Sequence, residues 1–72
     1  MSQPEMEIIP NWTKRWTLNG KLHREDGPAV EWPNGQKEWY LHGEEVGWER
    51  VFRQAKTPEI ELRILAAALT NA

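Results

Sequence analysis

The amino-acid sequence predicts an α+β protein: a small antiparallel β-meander of four or five short strands, followed by two short C-terminal helices. Three observations carry this expectation. The first is an internal repeat. The stretch Pro10-Asn11-Trp12-Thr13-Lys14-Arg15-Trp16-Thr17-Leu18-Asn19-Gly20 aligns with Pro33-Asn34-Gly35-Gln36-Lys37-Glu38-Trp39-Tyr40-Leu41-His42-Gly43 at an offset of 23 residues, with six of eleven positions identical. A fixed period in the twenties marks a small repeated unit that leans on its neighbour to cover its apolar face. The second is alternation: Lys14, Trp16 and Leu18 share one face of an extended segment, and Trp39 with Leu41 repeats the pattern. The third is a change of period after Glu44, where Trp48, Val51, Phe52 and Ala55 stand at i, i+3, i+4 and i+7.

Taken in order, residues 1–9 read as a loose lead-in, because Pro4 and Pro10 bracket Ile8 and Ile9 and forbid a regular helix across either end. The repeat sheet is expected over 10–46. Trp12 to Leu18 forms the first strand, and Asn19-Gly20 then gives a tight hairpin, since both residues tolerate positive φ. Lys21-Leu22-His23 returns briefly, and Glu25-Asp26-Gly27-Pro28 reads as a turn in which Asp26 bonds nearby backbone. Ala29 to Trp32 is the third strand, Pro33-Asn34-Gly35 the next turn, and Gln36 to Leu41 the fourth strand, closed by His42-Gly43. The turn positions are thus Gly20, Asp26, Gly27, Gly35 and Gly43.

A short helix is expected over 47–56, halted by Pro58, and a second over 58–70. Thr57 is placed to cap the second, Pro58 suits its first position, and Glu59 and Arg63 are spaced for a helical ion pair. Two apolar rows run along it: Ile60, Ile64, Ala67 and Ala68, and Leu62, Leu65, Ala66 and Leu69. Together they exceed what a small sheet needs, and which row faces the sheet is left open.

With 72 residues, one domain spans 1–72. A chain this short buries only about 60% of its unfolded surface, so its core is thin. It has no cysteine to staple it and five tryptophans to fill it. The expected core is Trp16, Leu18, Trp32, Trp39, Leu41 and Phe52. Eleven acidic against nine basic residues, evenly spread, argue against a nucleic-acid or anionic-membrane surface. The first residues lack the basic and apolar regions of a signal peptide, and no stretch has the length of a membrane span. A cytoplasmic protein is expected.

The segment Trp16-Thr17-Leu18-Asn19-Gly20-Lys21-Leu22-His23-Arg24-Glu25-Asp26-Gly27-Pro28-Ala29 resembles the MORN-variant repeats of small bacterial and phage proteins, whose units run W-x-x-N-G-K-x-H-R-x-D-G-P-A. The resemblance covers about residues 10–55. It weakens at Glu44-Glu45-Val46, where the second unit departs from the pattern, and residues 58–70 lie outside it. What it implies is a scaffold that binds proteins, and small phage proteins of this look act as inhibitors or adaptors on a host protein. The lipid association of some relatives would need a basic surface that this chain lacks.

No reaction chemistry and no cofactor can be read from these residues. His23-Arg24-Glu25-Asp26 holds a potential base, a cation and two carboxylates, yet one small sheet offers no water-poor cleft, and the cluster reads as a repeat turn with His23 or Arg24 over a Trp ring. His23, His42 and Asp26 have no metal-ligand spacing. Sheet tryptophans can stack bases, which makes single-strand nucleic-acid binding the alternative function. The preferred reading is a non-catalytic protein-binding module. Trp12, Tyr40 and Trp48 are its expected aromatic anchors, with Ile60, Leu62, Leu65 and Leu69 as the helical contact row, taking a host protein or a second copy of the chain.

Overall fold

A computed structural model describes residues 3–69. It is α+β, with six strands and two helices: β1 (Glu5–Ile8), β2 (Lys14–Leu18), β3 (Lys21–Leu22), β4 (Val30–Glu31), β5 (Lys37–Leu41), β6 (Glu44–Val46), α1 (Trp48–Arg53) and α2 (Pro58–Leu69). All pairings are antiparallel, in the order β1-β2-β4-β5-β6, with β3 also on β2.

The lead-in expected over residues 1–9 is corrected by β1, which pairs Glu5 to Ile8 with Thr17 to Lys14. The sheet therefore starts at Glu5 rather than at residue 10. Pro4 and Pro10 flank this strand without interrupting it, and Pro10 opens the turn that leads into β2. At the other edge β6 extends the hairpin made by His42 and Gly43, both at positive φ. The pair Asn19 (φ 54°) and Gly20 (φ 79°) makes the other tight hairpin in the same way.

The centre of the sheet is one strand broken in two. Trp16 is the pivot: its C=O accepts from the His23 N–H at 3.0 Å and its N–H donates to the Ala29 C=O at 2.8 Å. Across the way, the Arg24 N–H reaches the Tyr40 C=O at 3.2 Å, and the Ala29 N–H reaches the Glu38 C=O at 2.8 Å. Residues 24–28 are looped out between β3 and β4, while both halves stay in register with β2 and β5.

Partners directly opposite one another share a sheet face. Met6, Ile8, Lys14, Trp16, Glu31, Lys37, Trp39, Leu41 and Val46 thus fall on one face, and Glu7, Arg15, Val30, Glu38, Tyr40 and Glu45 on the other. The helices cover the first face at the β5–β6 end, where α1 lies against β5 and α2 packs on α1. There Trp39, Leu41, Val51 and Ile64 form the buried core, with Val46, Trp48, Phe52, Ala55, Ile60, Ala67 and Ala68 packed round it.

Several expected core positions are corrected. Trp32 is 38% exposed, because strand alternation puts it with Val30, and not with Glu31, on the face away from the helices. Trp16 and Leu18 are only half-buried, and neither joins the helix-covered cluster. Two expected contact residues move the opposite way. Ile60 packs on the core, and Trp48 meets Phe52 edge-on with ring centroids 6.1 Å apart.

The helices begin as the sequence indicates, but α1 is shorter than 47–56. The Thr57 hydroxyl accepts the Ile60 N–H at 3.1 Å and caps α2. Residue 70, the expected end of that helix, lies outside the described residues. Arg63 makes no ion pair with Glu59 among the described residues; it reaches Asp26 of the central loop at 3.5 Å. No helix among them is long and apolar enough to cross a membrane.

Candidate interaction surfaces

The most polar cluster, residues 23–28, closes on itself. The His23 ring is buried, and its Nδ1 accepts the His42 N–H at 2.9 Å. That bond requires an unprotonated Nδ1, so in the neutral ring the proton sits on Nε2, 3.2 Å from a Glu25 carboxylate oxygen. The His42 ring lies 4.4 Å from that of His23, tilted by 36°. Arg24 places its guanidinium 3.7 Å from the centre of the Trp16 ring. Its Nε donates to Asp26 at 2.8 Å, and its Nη1 donates to the Pro28 C=O at 3.0 Å and to Glu31 at 3.2 Å. Gly27 permits this fold-back: a Cβ there would stand 2.9 Å from the Arg24 Cζ. Asp26 serves as a carboxylate between Arg24 and Arg63.

Both ring nitrogens of His23 and both oxygens of Asp26 are thus engaged in holding the loop. Among the described residues no group of His, Cys, Asp and Glu side chains is arranged to hold a metal ion. A pocket of about 320 Å³ beside this loop is lined by Gln3, Pro4, Leu18, His23, Glu25, Asp26 and Lys56.

On the opposite face, Glu38 accepts the Trp32 indole N–H at 2.9 Å and lies 3.5 Å from the Tyr40 hydroxyl. Burial, then the carboxylates of Glu45 and Glu38, hold the Tyr40 phenol above its ordinary value of 10.0. The folded chain therefore keeps a proton that the unfolded chain releases. The resulting stability is present below the unfolded value and is lost as pH rises through the folded one. Absorbance of ionised tyrosine should thus appear later on alkaline titration of the native protein than in urea. Tyr40→Phe should flatten the decline of the urea midpoint above about pH 10. An unchanged decline in that variant would assign the alkaline loss to other groups.

The expected contact residues separate into three groups. Trp48 and Ile60 belong to the core region, and Tyr40 is half-buried on the outer sheet face. Leu62 and Leu69 stand 67% and 83% exposed, with Ala66 exposed and Leu65 half-buried between them. The row Ile60, Ile64, Ala67, Ala68 is therefore the one turned inward. Trp12 is 75% exposed at the tip of the β1–β2 turn. Because Lys14 stands opposite Glu31, the β1–β2 turn and the β4–β5 turn lie side by side at one end of the sheet. That end carries Trp12, Pro10, Pro33 and Trp32.

Sequence reading placed Met6 and Ile8 in the lead-in and overlooked them as surface residues. Both are about half exposed on β1, beside the same turn. The alternation Glu5-Met6-Glu7-Ile8 was their signal. The chain matches no protein-family model, no curated protein and no solved structure.

Proposed function

We propose that this chain is a non-catalytic protein-binding module, an inhibitor or adaptor that acts on another protein in the cytoplasm. The observation that carries this reading is the outer row of α2. Ile64 pins one side of the helix in the core and leaves Leu62 and Leu69 in water. An exposed leucine row on a fixed helix fits a groove or a second helix, and burying each leucine contributes about 1.5–3 kcal/mol. The resemblance of residues 16–29 to MORN-variant repeats supports the same reading, including its phage-type variant in which the target is a host protein.

Replacing Leu62 and Leu69 with glutamate should leave the melting temperature within about 3 °C of wild type, since both side chains already face solvent. The same change should weaken partner capture or self-association by at least about tenfold. Affinity capture and light scattering make the measurement. A wild-type chain that is monomeric and retains no protein from a bacterial lysate sinks the proposal.

The alternative, binding of single-stranded nucleic acid, has one observation in its favour: Trp12 and Trp32 share an end of the sheet with Lys14 and Lys37. It predicts quenching of tryptophan fluorescence by an oligothymidylate, steeply weakened by salt. No quenching at low salt ends it.

A further inference from the structure

The two turns at the tryptophan end of the sheet share one geometry, and the residue at their fourth position sets them apart. In Ile9-Pro10-Asn11-Trp12-Thr13, the Trp12 N–H donates to the Ile9 C=O at 2.8 Å and the Ile9 N–H to the Thr13 C=O at 3.0 Å. The Asn11 side chain accepts the Thr13 N–H at 3.1 Å. In Trp32-Pro33-Asn34-Gly35-Gln36 the matching bonds are 3.0, 2.9 and 2.9 Å. Both turns put their fourth residue in the left-handed region. In the second copy it is Gly35 at φ 92°, which suits glycine; in the first it is Trp12 at φ 70°.

A residue with a Cβ is disfavoured there, and a bulky aromatic one is a real outlier. Asn19 and His42, the other non-glycine residues at positive φ among those described, are of types that commonly tolerate it. The Trp12 ring is also three-quarters exposed, so burial within its own fold does not offset the strain. The repeat itself shows that glycine builds the same turn. Folding alone gives no reason for tryptophan at this position.

We propose that Trp12 is the anchor of a second contact surface, kept at a cost in stability, and that it enters an apolar pocket rimmed by carboxylates on a protein partner. Exposed tryptophan is a frequent source of binding energy at such contacts. The charges beside it define the rim. Lys14, Glu31 and Lys37 stand in register across β2, β4 and β5. Glu31 is taken by Arg24, Glu7 by Arg15, and Glu38 by the Trp32 indole. Among the described residues Lys14 and Lys37 make no ion pair; the Lys37 Nζ donates only to the Gly35 C=O, at 3.2 Å. Two ammonium groups therefore flank the turn and call for acidic residues opposite. The inference rests on the protein-binding reading but concerns a surface separate from the outer row of α2.

The test combines stability with capture. Trp12→Gly and Trp12→Asn should melt higher than wild type by about 4 °C or more, because both residues accept the left-handed turn. Wild type, Trp12→Gly, Lys14→Glu/Lys37→Glu and Leu62→Glu/Leu69→Glu are then immobilised and exposed to bacterial lysate, with and without nuclease treatment. A protein retained by wild type, reduced at least about tenfold by Trp12→Gly and by the double lysine variant, and released by salt after purification, is the expected result. A Trp12→Gly variant that melts below wild type overturns the proposal, since the ring then supports the fold. Capture that is equal with and without Trp12, and lost only with the α2 variant, overturns it and leaves the protein-binding reading standing. No capture by wild type overturns it, and overturns the protein-binding reading as well if wild type is monomeric. A wild-type dimer that Trp12→Gly dissolves, or capture that nuclease abolishes, assigns the ring to a second copy or to nucleic acid instead.

Discussion

Replacing Ile64 with alanine is expected to lower the melting temperature by about 10–30 °C and bring the chain close to unfolding at 25 °C. Ile64 has no exposure and joins α2 to Trp39, Leu41 and Val51. Deleting three of its side-chain carbons at such a site removes their transfer energy and opens a cavity, together about 2–5 kcal/mol. A domain of this size has only about 4–11 kcal/mol in total. Each kcal/mol corresponds to about 4–8 °C. The internal control lies two residues away: Leu62→Ala alters a side chain that is mostly in water and should stay within about 0.5 kcal/mol of wild type. Urea unfolding followed by tryptophan fluorescence distinguishes the two. If Leu62→Ala destabilises as much as Ile64→Ala, α2 does not pack on its Ile64 side as described.

This contrast marks how far the sequence was legible. The apolar periodicity of 58–69 identified a helix and both of its rows, but either row is greasy enough to dock. What favours the Ile64 row lies elsewhere, in the core formed by Trp39 of β5 and Val51 of α1. The hairpins at Asn19-Gly20 and His42-Gly43 were readable because positive φ has a local chemical signature. β1 showed only as the four-residue alternation Glu5-Met6-Glu7-Ile8, because such a strand gains its stability from β2 rather than from its own propensity. Trp32 was misplaced for a related reason. An aromatic residue in a small chain is expected inside, yet the register that puts Val30 opposite Glu38 sends Trp32 to the outer face. The break in the central strand shows only as the insertion Arg24 to Pro28, and no period reports where such an insertion will lie. The anomaly at Trp12 was written in the repeat alignment, tryptophan against glycine, but became meaningful only when the backbone showed that the position is left-handed.

Arg24 is the residue on which the looped-out segment closes, and its removal is the second large effect expected. The side chain is 18% exposed and meets four partners: the Trp16 ring, Asp26, the Pro28 carbonyl and Glu31. The two ion pairs involve carboxylates about one-third exposed, so water screens them and each contributes little beyond its hydrogen bond. The contact with Trp16 is worth about 1 kcal/mol, and the hydrogen bonds about 1 kcal/mol each. Arg24→Ala should therefore cost about 2–4 kcal/mol, raise amide exchange through residues 24–28, and increase access of acrylamide to Trp16. Arg24→Lys is the more discriminating variant. A lysine ammonium can face the indole or one carboxylate, but it cannot serve Asp26, Pro28 and Glu31 through a planar fork. It should recover less than about half of the loss, in low salt and in about 0.5 M salt alike. A Trp16→Leu/Arg24→Ala double-mutant cycle should give a coupling of about 1 kcal/mol, the part due to the stacked pair. Full recovery by lysine would mean that a point charge is enough. The loop would then be held by its backbone bonds to Trp16, Glu38 and Tyr40, with the guanidinium resting on a structure already formed.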